Sequence, residues 1–219
     1  AKRLRVTNPK TFSDDSLRVL RGVQFAARFD LVCNSDSLKI MQKIDISDLS
    51  ANRIYLELEK FFIAKFKRRA MELLSELGLD LKLFGVEFDE RFIQQISNKI
   101  HTHKASFLYH LINYYAIDGK SLISRLALPN CYSISYKQPF LKRVSKFELL
   151  KIALDMPLCQ WLGLDSKRRI KMAQALGIYE HKFSPNIDTS AILCVGKAYG
   201  DELKRLRIQA IKDYLNGCN

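Results

Sequence analysis

Apolar side chains return at every third and fourth position along almost the whole chain, and that periodicity restricts the fold more than any other property of the sequence. Leu17, Leu20, Val23 and Ala27 make one such stripe, and Ile54, Leu58, Phe61 and Phe62 another. Alternation with period two, bounded by turn residues, is almost absent. The chain is therefore expected to be all-α, an elongated array of many helices. With 219 residues, 47% of them hydrophobic and only five prolines, it has enough apolar side chain for a real core.

Polar punctuation sets the expected boundaries. Thr11 or Ser13 caps a first helix that runs to Phe29, with Asp14 and Asp15 suited to its N-terminal dipole. A short helix follows in "SDSLKIMQKI". Ser50 caps a longer one, "ANRIYLELEKFFIAKF", in which Arg53 and Glu57 pair at i, i+4, and a break is expected near Phe66 and Lys67. Gly78 closes "RRAMELLSELGL", leaving "LKLFGV" as a turn. Three helices fill the middle, "DERFIQQISNKI", "KASFLYHLINYYAI" and "KSLISRLAL". "PNCYSISYKQPF" reads as a loop of extended character, with short helices after it ending at Gly163, Gly177, Gly196 or Gly200. No fixed-period repeat or low-complexity linker interrupts the chain, and the expected division is 1–85, 86–150 and 151–219.

Charge narrows the function. Lysine and arginine number 36 against 23 acidic residues, a formal net charge of +13. Such an excess repels itself unless a polyanion is a regular partner, and nucleic acid is the first candidate; a basic surface that serves solubility is the other reading. No apolar run reaches the roughly eighteen residues of a membrane span, and "AKRLRV" leads into polar sequence rather than a signal-peptide core, so a cytoplasmic chain without membrane contact is expected. The first residue is alanine, which suggests a processed chain or a fragment. Five scattered cysteines form no CxxC pair, and His101, His103, His110 and His181 lack ligand spacing. Free thiols, no bound metal and surface or turn histidines are the expectation.

The stretch "TFSDDSLRVLRGVQFAARF" holds the most specific chemistry. At i, i+3 on one helix, Asp15 and Arg18 would project together, with Arg21 a turn further on. Cytosine and adenine both present an amino donor beside a ring-nitrogen acceptor, so a carboxylate accepting from the first and a guanidinium donating to the second would admit C and A. Uracil and guanine offer a carbonyl and an N–H there instead. The plain alternative is a surface salt bridge worth a few tenths of a kcal/mol.

The run "DDSLRVLRGVQFAARF" resembles the base-selecting motif of bacterial class II tRNA nucleotidyltransferases, the CCA-adding enzymes, and of their sister poly(A) polymerases. "ISDLSANRIYLELEKFF" and "AMELLSELGLDLKLFGV" are similar to the stretches that follow in that family, and the likeness covers about residues 4 to 85. The resemblance implies that Asp15 and Arg18 hydrogen-bond the incoming base, with Asp14 in the place of a usual glutamate and Arg21 as the motif's second arginine. Ser16 replaces a usual proline, and Gln24 replaces a usual arginine. The family's D-x-D metal pair and R-R-D motif, which belong to a catalytic head, have no counterpart here; Asp80 in "LDLKL" follows no Gly-rich strand. The resemblance thus implies a neck (1–85), body (86–150) and tail (151–219) that take ATP and CTP as substrates and bind tRNA. Mg²⁺ and catalysis would belong to the head domain of the same polypeptide, and this chain alone would be inactive. A fragment of a poly(A) polymerase and a stand-alone RNA-binding helical module are the alternatives.

Basic clusters supply the expected RNA contacts: Lys65, Lys67, Arg68 and Arg69; Lys142 and Arg143; Lys167, Arg168 and Arg169; Lys204, Arg205 and Arg207. Tyr109, Tyr114 and Tyr115 are expected in the core, while Tyr132 and Tyr136 remain candidates for stacking on bases, and Trp161 is a packing residue.

Overall fold

A computed structural model describes residues 2–101, 103–190 and 195–217. Among these the chain is helical, as expected, with thirteen α-helices and one two-stranded sheet. It divides into two compact units, Ala1–Gln138 and Pro139–Asn219.

In the first unit, β1 (Lys2–Leu4) pairs in parallel with β2 (Leu31–Cys33), Arg3 opposite Val32. Three-residue strands are too short for alternation to register, which is why the periodicity missed them. Between them lie α1 (Pro9–Ser13) and α2 (Leu17–Phe29), so the single helix expected from Thr11 to Phe29 is interrupted at Asp14–Ser16. The cap of α1 is Asn8, whose side chain accepts from the N–H groups of Lys10 and Thr11, and not Thr11 or Ser13. Asp30, in the left-handed region at φ 55°, ends α2 and turns the chain into β2.

Leu17, Leu20, Val23 and Ala27 bury the α2 stripe against α4 (Ala51–Ile63) and α5 (Lys67–Glu76). α3 (Ser35–Met41) precedes them. Ser50 caps α4 by accepting from the Arg53 N–H at 3.4 Å, and the Phe66 N–H donates to the Ala27 carbonyl at 2.8 Å where the chain breaks before α5. Gly78, at φ 64°, closes α5. The segment expected as a turn is instead α6 (Leu79–Phe84), because Leu79, Leu83 and Phe84 are buried and the Asp80 carboxylate gathers the Leu81 and Phe88 N–H groups and the Ser75 hydroxyl, each at 2.8 Å.

α7 (Glu90–Ser97), α8 (Ser106–Tyr115) and α9 (Gly119–Arg125) follow as anticipated. Phe107 on α8 is the hub of the core, 4.8 Å from the ring of Phe61 and stacked at 5.5 Å on Phe62. The supposed loop after Leu128 is a 3-10 turn (Asn130–Ser133) leading into α10 (Ile134–Lys137). Burial of Tyr132 against Phe62 and Tyr55 fixes it, so Tyr132 joins the core with Tyr109 and does not face bases. Tyr114 and Tyr115 are half-buried, their hydroxyls bonded to Asp89. His110 is buried beside Tyr109, contrary to its expected surface place.

The second unit is built on α11 (Lys146–Ala153), α12 (Lys167–Ala175) and α13 (Lys197–Gly217). Ser145 and Glu148 form a capping box at the start of α11. "PLCQWLGL" makes only a 3-10 turn, Leu158–Gln160, held by the carbonyls of Ile178 and Tyr179. Trp161 is 1% exposed, as expected of a packing residue, and its ring lies against Gly163, where a Cβ would stand 2.2 Å from Cζ2. Gly200 does not end a helix but lies within α13, and the part of "SAILCVGKAYG" at 191–194 lies outside the described residues.

Candidate functional site

The interruption between α1 and α2 decides how the acidic pair is presented. Asp14 is exposed and caps the end of α1, its N–H donating to the Thr11 carbonyl at 3.3 Å. Asp15 stands in the link, where its Oδ1 accepts from the Leu17 N–H at 3.2 Å and from Arg53 Nη2 at 2.9 Å. The adjoining Ser16 is buried, and its hydroxyl donates to the Asp48 carboxylate at 2.7 Å. Residues brought in just before α4 and on α4 itself thus hold the link from both sides. Asp15 Oδ2 makes no hydrogen bond among the described residues.

Partial burial pushes the Asp15 carboxyl up, but the Leu17 N–H, the Arg53 guanidinium and the charge of Arg21 outweigh it and hold the group below the usual carboxylate range. Arg53 therefore pairs with Asp15 rather than with Glu57 as its spacing suggested. Glu57 is instead buried on α4, with Oε1 2.9 Å from Lys60 Nζ and 3.8 Å from Arg21 Nε. Arg18, half-buried, makes no ion pair or side-chain hydrogen bond among the described residues. The pair Asp15 and Arg18 does not neutralise itself, and each side chain keeps hydrogen-bonding capacity for an outside group. Gln24 is buried and braces Arg28 at 3.3 Å, so its amide serves the helix.

The basic clusters separate into two kinds. Lys65, Lys142, Arg143, Lys167, Arg168, Lys204 and Arg205 are exposed, with Arg205 paired to Glu202 at 2.6 Å, and Arg207 is half-buried. Arg68 is tied to Glu72 and Glu90, and Arg69 to Asp30 and Glu72, which neutralises both. Lys67 and Arg169 are turned inward. Lys67 is 4% exposed, donates to the Ala64 carbonyl at 2.6 Å and is pulled down by burial to about 8. Arg169 donates to the Gly163, Leu141 and Lys142 carbonyls and to Asp165, and lies over the Trp161 ring at 5.7 Å. Its charge serves the core of the second unit.

Sequence reasoning missed Arg53 as the partner of Asp15, since helical spacing reports neighbours three or four residues away and this pair lies 38 apart.

The chain is 34% identical over 113 residues to the "Multifunctional CCA protein" of Actinobacillus pleuropneumoniae serotype 5b (strain L20), covering 45% of this chain and 27% of that protein. The chain spans about a quarter of the length of that protein, 27%. Solved structures described as a CCA-adding enzyme in complex with ATP and with CTP share the fold of this chain, with TM-scores of 0.64 and 0.61 at 17% and 16% identity. Each match covers 94% of this chain, and 59% and 58% respectively of the solved chain. No protein-family model matches the chain. No described helix of the chain is long and apolar enough to cross a membrane.

Proposed function

We propose that the chain is the non-head portion of a tRNA nucleotidyltransferase that selects CTP and ATP with protein side chains and binds tRNA for addition at its 3′ end. Base selection belongs to the neck, 1–85, and the body, 86–150, and tail, 151–219, carry much of the RNA surface. The observation that carries this reading is the state of Asp15: Oδ1 is anchored by Arg53 and the Leu17 N–H, while Oδ2 keeps its lone pairs for an outside donor, and Arg18, three residues on, holds no ion pair or side-chain hydrogen bond among the described residues. The exocyclic amino group of cytosine or adenine suits that oxygen, and the ring nitrogen suits a guanidinium N–H. A uracil or guanine carbonyl against Oδ2 sets two acceptors face to face, at a cost on the order of 1–3 kcal/mol. The relative's name, CCA protein, favours addition of C and A over polyadenylation.

The Asp80 and Asp15 carboxylates do not fit a pair of Mg²⁺ ions. The Asp80 carboxylate is buried and taken up by three protein donors, and Asp15 is committed on one oxygen to Arg53. Phosphoryl transfer is accordingly assigned to a head domain of the same polypeptide and to no residue of this chain, which by itself would not catalyse addition.

Titration of the 219-residue chain with CTP, ATP, UTP and GTP tests the reading. CTP and ATP should bind about tenfold more tightly than UTP and GTP. Asp15→Ala or Arg18→Ala should erase that preference. Variants that lose stability yet discriminate as before would mean that the two residues brace the helix and read nothing.

A further inference from the structure

The link that presents Asp15 has little backbone bonding of its own. The N–H groups of Asp15 and Ser16 make no hydrogen bond among the described residues. Ser16 is held by its side chain instead: the hydroxyl donates to the Asp48 carboxylate, 2.7 Å from Oδ1 and 2.9 Å from Oδ2. Ser16 is buried, whereas Asp48 is exposed and takes no cation or other hydrogen-bond donor among the described residues. Asp48 is itself fixed in place, because Ile46 and Leu49 on either side of it are buried and the Leu49 N–H donates to the Ile46 carbonyl at 3.1 Å. α4 begins immediately after, at Ala51.

The backbone at Ser16 shows what this contact does. Its φ is −59°, inside the range of about −65 ± 15° that a proline ring imposes. Asp15 accepts the Leu17 N–H on its side chain and the Arg18 N–H on its carbonyl, as a helix cap does. Ser16 therefore stands in the opening turn of α2, where a proline would fit because its missing N–H has no bond to lose. Serine has no ring to hold that angle, and rotation about its N–Cα bond would turn Asp15 relative to α2. The bond to Asp48 ties Ser16 to the segment leading into α4, the helix whose Arg53 grips Asp15 Oδ1 at 2.9 Å. Two adjacent residues are thus fastened at two points to the stretch 48–53.

We propose that Ser16 and Asp48 form a latch that positions Asp15 for the incoming base, an inference that rests on the base reading above. Asp48 is a positioning residue: it acts through Ser16, without touching the nucleotide. Telling an amino group from a carbonyl needs Oδ2 of Asp15 in place to a fraction of an ångström, and a misplacement of about 1 Å costs up to about 100-fold in a well-oriented site. Anchored by Oδ1 alone, the carboxylate can pivot and let Oδ2 meet either edge of a base. The latch removes that pivot.

The test is calorimetric titration of the 219-residue chain with CTP and UTP, with circular dichroism to establish that each variant is folded. Wild type should prefer CTP about tenfold. Asp48→Ala and Ser16→Ala should each narrow that preference to about threefold or less, chiefly through weaker CTP binding. Ser16→Pro should keep the full preference, since the ring holds the same φ, and in that background Asp48→Ala should change nothing. Unaltered preference in Asp48→Ala would overturn the latch and leave the base reading standing, whereas a wild type that binds CTP and UTP alike would sink the base reading and the latch with it. Variants that bind both nucleotides more weakly by the same factor would mark the contact as structural only and overturn the proposal. So would an equal loss from Asp48→Ala with and without Ser16→Pro, which would put Asp48 in direct contact with the ligand.

Discussion

A carboxylate that accepts from a guanidinium and a backbone N–H is a stronger acid than one in water, and Asp15 has both partners. Its folded-state value lies below the ordinary one, so its contribution to stability is in place above the unfolded value near 3.9 and is lost as the pH falls through the lower folded value. Arg53→Met should move the Asp15 midpoint upward, which a carbon NMR titration of the carboxyl group reads directly; an unmoved midpoint would show that Arg53 does not act on it. Lys67 gives the opposite case. Burial lowers its ammonium to about 8 from an ordinary value near 10.4, so the folded chain sheds the proton first and stability rises between those values. Lys67→Met should therefore stabilise the protein by up to about 3 kcal/mol at pH 7, with the advantage shrinking towards pH 10 in denaturant melts. A difference independent of pH would mean that the lysine is already neutral or already solvated.

At the scale of elements, the second unit depends on a contact that only glycine permits. Gly163→Ala would force a methyl into the Trp161 ring and should cost about 2–3 kcal/mol in chemical denaturation. Arg169→Lys, which trades a fork bonded to three carbonyls and a carboxylate for a single ammonium, should destabilise by a similar amount and leave the salt dependence of RNA binding unchanged. Elements of this kind mark the limit of what the sequence makes legible. α4 could be read from the Ser50 cap and the Leu58, Phe61 and Phe62 stripe, and the end of α5 from Gly78. α6, α10 and the two strands could not, because none exceeds six residues; α6 exists through burial of Leu79, Leu83 and Phe84, and the strands, which bury no residue, through backbone pairing between segments far apart in sequence. The same holds for the candidate site. Asp15 and Arg18 stood out through their spacing, whereas Arg53 reaches Asp15 through tertiary packing that no local pattern encodes.

For the whole molecule, the excess of +13 charges has a measurable signature. If the exposed side chains Lys142, Arg143, Lys167, Arg168, Lys204 and Arg205 meet tRNA phosphates, affinity should fall by about 10³-fold between about 50 and 200 mM salt. A flat response in a filter-binding titration would remove backbone contact as the source of affinity. The single tryptophan has a further use. It lies in the unit Pro139–Asn219, so indole fluorescence follows the melting of that half alone, whereas far-ultraviolet circular dichroism sums the helices of both. Coincident curves would mean that the two halves unfold as one cooperative body, and separated midpoints would assign each its own stability without cutting the chain.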